Sequence, residues 1–200
     1  MPFGEAMMKS KANFILLAAI ALASCSSGPQ EAPVVKVDKP FATAGGIEMQ
    51  LDGGDYIIRA SPDERIRVSF AGSTGNATAD LGVTGTHANL TIRDTPHNNF
   101  RATVEVPATT DLTVHLTGGN LEVTEITGSK DIDSKAGNVE ITIPNPNDYG
   151  TVDAAVTAGN LNAGPFGDSS SGLSPHLKWS GSGKYTLRAS LGAGNLELKH

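Results

Sequence analysis

One short theme constrains this chain more than any other: glycine, then asparagine, then an apolar residue. It stands in "GGNLEVTE" (118–125), "AGNVEITI" (136–143), "AGNLNAGP" (158–165) and "GAGNLELK" (192–199). Gly119, Gly137, Gly159 and Gly194 each precede an asparagine, respectively Asn120, Asn138, Asn160 and Asn195. Leu or Val follows each asparagine. Glycine reaches positive φ without steric cost, and asparagine tolerates that region better than most residues. Each pair therefore reads as a corner where a strand turns sharply. The glycines are 18, 22 and then 35 residues apart, the last about two repeats.

Between the corners the chain alternates. Leu112, Val114 and Leu116 are followed by Leu121 and Val123; then come Ile132, Ser134 and Ala136, and Val139, Ile141 and Ile143. Thr, Glu, Asp, Asn and Lys stand between. Period two with one apolar face means half-buried strands. The earlier half repeats the habit less cleanly, with Ile47, Met49 and Leu51 or Ile66, Val68 and Phe70. No amphipathic helix is expected after the N-terminal segment. Aromatics make up only 5% of the chain and Gly counts 23, which suits thin stacked sheets rather than a bulky core. The expected fold is all-β, a single-domain β-solenoid-like stack of short strands. A β-sandwich of antiparallel strands is the alternative. In a stack, Asn120, Asn138 and Asn160 would form a ladder of side-chain hydrogen bonds.

The N-terminus carries a different signal. Lys9 and Lys11 precede the apolar run "FILLAAIALA" (14–23), too short to span a bilayer as a helix. Leu22, Ala23 and Ser24 then lead into Cys25, the chain's one cysteine. The arrangement looks like a bacterial lipobox, with small residues before the cut and a cysteine that takes the lipid. Residues 1–24 are read as a lipoprotein signal peptide, with Met1, Met7 or Met8 as the start. Cleavage would remove Glu5, Lys9 and Lys11, leaving the chain one unit more negative than its formal −6. Residues 25–40, rich in Ser, Pro and charge, are read as the lipidated cysteine and a flexible tether, and 41–200 as the folded domain. Ser26 after the cysteine resembles sorting to the outer membrane where the organism has two.

The run "ATVEVPATTDLTVHLTGGNLEVTEITGSKDIDSKAGNVEITI" resembles the bacterial "putative-adhesin" domain of β-strand repeats. Val104-Glu105-Val106-Pro107 fits that family's opening signature, and Gly194-Asn195-Leu196-Glu197-Leu198 its close. The likeness covers roughly 45–200 and is strongest over 102–163 and 183–199. The stretch "FGDSSSGLSPHLKWSGSG" (166–183) departs from it and is read as a loop or distorted coil near a C-terminal cap. The resemblance implies a β-solenoid-like stack on an envelope protein.

Residues that carry chemistry are dispersed. Glu122, Asp131, Asp133, Glu140 and Asp153 fall on outward positions, where in-register coils would align some of them into an acidic stripe. A β-helical polysaccharide enzyme needs such acids with a basic partner nearby, and Arg101 is the only arginine between Asp94 and Asp153. His87, His97, His115, His176 and His200 show no ligand spacing. Asp52-Gly53-Gly54-Asp55 reads as a tight turn, and Trp179 and Tyr185 as a core cap. No metal or cofactor is expected, and the negative charge disfavours nucleic acid. The expectation is a non-catalytic, membrane-anchored binding or scaffold protein. It would hold membrane lipid through acylated Cys25 and engage an envelope protein or surface glycan. Alternatives are an envelope-stress or signalling accessory and a β-helical polysaccharide-active enzyme.

Overall fold

The structure, a computed structural model, describes residues 32–200. Cys25, the lipobox residues Leu22 to Ser24 and the candidate starts lie outside the described residues. Among the described residues, fourteen strands form one mixed sheet. The first half holds β1 (Val34–Pro40), β2 (Gly46–Leu51), β3 (Gly54–Ala60), β4 (Arg65–Gly72), β5 (Thr78–Thr84), β6 (His87–Arg93) and β7 (Phe100–Val106). The second holds β8 (Asp111–Leu116), β9 (Gly119–Val123), β10 (Lys130–Thr142), β11 (Tyr149–Ala163), β12 (Asp168–Leu173), β13 (His176–Ser180) and β14 (Tyr185–Lys199).

The sheet bends into two walls because its long strands turn a corner midway. The first half of β10 pairs in parallel with β8, and its second half with β9. β14 and β11 bend at the same place, and β2 with β3 repeats the corner one rung earlier. Five coils therefore stack in parallel and in register, as a solenoid-like fold requires. The antiparallel pairs flank them: β1–β4–β7 and β5–β6 on one side, β12 and β13 on the other. At the first end the walls approach each other, where the Lys39 ammonium donates to the Leu81 carbonyl.

The corner changes the parity of the alternation. In every coil the last inward residue of the first wall and the first of the second are five apart: Leu51 and Tyr56, Leu116 and Leu121, Ser134 and Val139, Val156 and Leu161, Leu191 and Leu196. Four outward or corner residues intervene, so Ala136 is exposed and does not continue the inward row of Ile132 and Ser134. Glycine is compulsory at these bends. Gly119, Gly137, Gly194 and Gly159 take φ between +112° and +142°, and a Cβ on Gly137 would lie 1.7 Å from the Gly119 carbonyl oxygen. The asparagines themselves keep negative φ; they serve the corner through their side chains.

Inward residues line up in columns across the rungs, such as Met49–Val114–Ile132–Ala189–Ala154 on the first wall and Ile58–Val123–Ile141–Leu198–Ala163 on the second. All are buried in one apolar cluster. At about 25 cal/mol per Å² of apolar surface, this burial is the main stabilising term. The few aromatics gather toward the two ends of the stack: Phe70, Phe100 and Tyr56 at one, Tyr149, Phe166, Trp179 and Tyr185 at the other. Trp179 and Tyr185 pack partly buried against the core.

Three placements differ from the sequence reading. Val34–Pro40, within the stretch read as tether, forms β1 against β4, with Val37 opposite Val68 and partly buried against the core. The 166–183 stretch is more than a loop: it supplies β12 and β13, both antiparallel to β11. Finally, the ladder read for Asn120, Asn138 and Asn160 has Asn195 between the last two, since the rungs do not stack in chain order. The C-terminal strand β14 lies between β10 and β11, because the β12–β13 excursion returns the chain to the inner side of β11.

Candidate functional site

The corner brings together all four predicted Gly-Asn pairs and a fifth residue. The asparagines stack in the order 120, 138, 195, 160. Asn160 donates its side-chain N–H to Asn195 Oδ1 at 2.6 Å, Asn195 to Asn138 at 2.7 Å, and Asn138 to Asn120 at 2.8 Å. Asn120 then donates to Asp55 Oδ1 at 2.7 Å. Asp55 was missed as a rung because Gly54-Asp55 replaces Gly-Asn. The five-residue apolar spacing from Leu51 to Tyr56 is the signal that would have found it. The ladder is exposed, and its job is to hold the coils in register.

The outer face of the first wall carries polar residues in register. One row runs Glu48–Thr113–Asp131–Arg188–Asp153–Lys178, and a neighbouring row runs Gln50–His115–Asp133–Ser190–Ala155–His176. Two shallow grooves open on it. One, of about 450 Å³, is lined by Asp52, Arg93, His115, Asp133 and Lys135. The other, of about 420 Å³, is lined by Asp131, Asp153, Arg188 and the hydroxyls of Thr113, Thr151 and Thr186. Beside it His176 Nε2 lies 2.8 Å from Asp153 Oδ1, and this hydrogen bond holds the Asp153 carboxyl below the usual carboxylate range. Arg188 and Arg93 are basic neighbours that chain distance hid: only the rung order puts Arg188 between Asp131 and Asp153, whereas Lys135 stands two residues from Asp133.

The acids do not form a single stripe. Asp131, Asp133 and Asp153 lie on the first wall, while Glu122 and Glu140 lie on the second and align there with Glu197. Like charges directly opposite repel. Lys199 offsets this by pairing with Glu140, and the Asn162 amide donates to Glu197 Oε1 at 3.3 Å.

The least expected polar group is inside. Lys130 is buried in an inward column between Leu112 and Leu187. Its position two before Ile132 gives it inward parity, which the sequence reading passed over by grouping lysines with the outward residues. Its ammonium donates to the Ile126 and Gly128 carbonyls at 2.8 and 2.9 Å and to the Tyr149 hydroxyl at 2.7 Å. Burial pushes Lys130 down to about 8, against an opposing pull from Asp111. Burial likewise drives the Tyr149 phenol well above its ordinary range, with Asp148 and Tyr185 adding to it. Lys130 therefore ties the corner loop before β10 to the start of β11, with its ammonium held by three acceptors.

No family model matches the sequence. No curated protein matches it either. Among solved structures, the chain is similar to one described as a "putative cell adhesion protein" from Clostridium sporogenes. That alignment covers 84% of this chain and 99% of the other, at 13% identity and a TM-score of 0.51. At that identity the likeness is one of fold. Alignments to crystal structures of a "putative adhesin" from Bacteroides fragilis and another from Parabacteroides distasonis cover 85% and 84% of this chain and 98% and 70% of theirs. Their identities are 10% and 12%, each with a TM-score of 0.26. Among the described residues, no helix is long and apolar enough to cross a membrane.

Proposed function

We propose that the chain is a bacterial envelope lipoprotein, anchored through acylated Cys25, whose β-stack is a non-catalytic, adhesin-like binding or scaffold domain. The observation that carries this reading is the first wall's outer face. In-register rungs hold rows of acidic, basic, hydroxyl and amide groups on a rigid sheet, with shallow grooves instead of an enclosed pocket. Such a face suits an extended ligand, a surface glycan or an envelope protein, contacted at many points. The fold likeness to the Clostridium protein, itself described in terms of cell adhesion, supports the same reading. The Lys9-to-Cys25 pattern supports the anchor.

Two measurements on the full chain in bacterial cells test this. Cys25→Ala should leave an unprocessed or soluble form, and unchanged, fully processed membrane retention would sink the anchor. His115→Ala with Arg188→Ala on the first wall should lower cell attachment to a glycan-coated surface, or recovery of a cross-linked envelope protein, several-fold relative to Glu122→Ala on the second wall. Equal behaviour of the two walls would remove the first wall as the binding face.

One observation favours a second reading. The 450 Å³ groove gathers two carboxylates, Asp52 and Asp133, with His115, Arg93 and Lys135, the residue types that a polysaccharide-active β-helical enzyme needs on one face. Depolymerisation of an envelope polysaccharide, abolished by Asp133→Asn, would replace the binding reading with this one.

A further inference from the structure

The glycine column ends differently at its two ends. At Gly119, Gly137, Gly194 and Gly159 the place a Cβ would take is filled by the glycine carbonyl of the rung before, 1.7–2.0 Å away. At the first rung, Gly54, it is filled by the Phe100 ring at 2.7 Å. β12 continues the column at the other end, with Gly172 opposite Gly159. Its φ of +113° falls within the range of the ladder glycines, yet nothing lies within 4 Å of its Cβ position. Because β12 runs antiparallel to β11, the same geometry points outward there, past the free edge.

That edge is also the least guarded. Among the described residues β12 pairs only with β11. β1 carries Lys36 and Lys39, ends on Pro40, has a register shift between Val35 and Val37, and is joined to β5 through Lys39. β13 follows Pro175 and carries Lys178. These are the usual devices against edge-to-edge pairing. From Ser169 to Leu173 β12 has none of them, and Leu173 is 88% exposed.

We propose that the outer edge of β12 is an interface at which a second copy of this chain adds its own β12 as an antiparallel strand. The occupant follows from symmetry and charge. An antiparallel pair of identical strands is closed by a two-fold axis, so one edge satisfies the other. A chain of net charge −6 meets itself most easily where charge is sparse, and Ser169 to Leu173 carries none. Each Gly172 admits the facing backbone where a Cβ would obstruct it, and each Leu173 gains cover. A six-residue edge is small beside the roughly 800 Å² per partner of a stable complex, so association is weak and rises with concentration. This inference is independent of the function proposed above.

The test uses the full chain in cells, with Cys25→Ser and one cysteine added, so that the added thiol is the chain's only one. Ser171→Cys should give an oxidant-dependent dimer at least five-fold above that of Ser190→Cys, which sits on the outer face of the first wall. Adding Leu173→Lys should reduce the dimer to the Ser190→Cys level while leaving the thermal melting temperature of the purified chain unchanged. A Ser171→Cys yield no greater than that control overturns the interface. So does a dimer that survives Leu173→Lys, and so does a cross-link from Ser171→Cys to a different protein.

Discussion

Asn120 donates to the Asp55 carboxylate at 2.7 Å, and that one bond gives the whole corner ladder its direction. Every asparagine above it donates the same way. A carboxylate accepts and never donates, so the chain of amides can end on Asp55 without a stranded N–H, and the terminal bond is charge-assisted.

The ladder should weaken most when broken in the middle. Asn138 both donates to Asn120 and accepts from Asn195, while Asn160 only donates. Asn138→Ala is expected to lose about 1–2 kcal/mol in urea unfolding, and Asn160→Ala less than about 1 kcal/mol. Equal losses would mean that the bonds contribute little and that the glycine corner alone sets the register.

Glycine at the corner is required on two counts, conformation and space. Gly137→Val places a Cβ on the Gly119 carbonyl at φ +123°, so a loss of at least ~3 kcal/mol, or failure to fold, is expected. Gly85 has φ +59° and nothing within 4 Å of its Cβ position; Gly85→Ala should cost only about 1 kcal/mol. Thermal melting of the pair separates crowding from conformation alone.

Lys130 makes stability depend on pH in an unusual direction. Its folded pKa, about 8, lies below the ordinary lysine value of 10.5, so in this window the unfolded chain binds more protons than the folded one. Stability should therefore rise from about pH 8 toward pH 10, by at most ~1.4 kcal/mol per pH unit. Above about pH 10 the trend should reverse. The buried phenols of Tyr56 and Tyr149 have raised folded pKa values, so their contribution is lost once the unfolded tyrosines ionise. Urea midpoints at pH 7, 8, 9 and 10 check this, with Lys130→Met flattening the rise.

The C-terminal strand should be indispensable. In a stack built in chain order the last strand is a terminal rung, and its removal shortens the stack. Here β14 lies between β10 and β11 and pairs with both along nearly its full length. A chain ending at Lys184 would expose the inward faces of both neighbours. It is expected to lose its cooperative melt and become protease-sensitive across 130–163. A native-like melt of that truncation would contradict the rung order.

Much of the candidate site could be read from the chain, but unevenly. His115 is placed outward by simple alternation between Val114 and Leu116, and the structure keeps it there. The grooves around it could not be read, since Arg93, His115 and Lys135 come from three different strands. Lys130 was legible by parity and was overridden by its charge. Such a burial is permitted only because two carbonyls of the adjoining loop and the Tyr149 phenol on another strand accept its hydrogen bonds.

The sequence alone determined the rung. Period-two alternation, with a glycine and an amide at a fixed place, admits one local solution: two short strands joined at a sharp corner with one apolar side. Tertiary structure alone decided the order of the rungs. Each coil presents nearly the same apolar columns and the same corner to its neighbours, so local pattern cannot say which coil lies beside which. That choice rests on long-range facts: the antiparallel β12–β13 excursion that returns β14 to the inner side of β11, and the aromatic clusters that close the two ends.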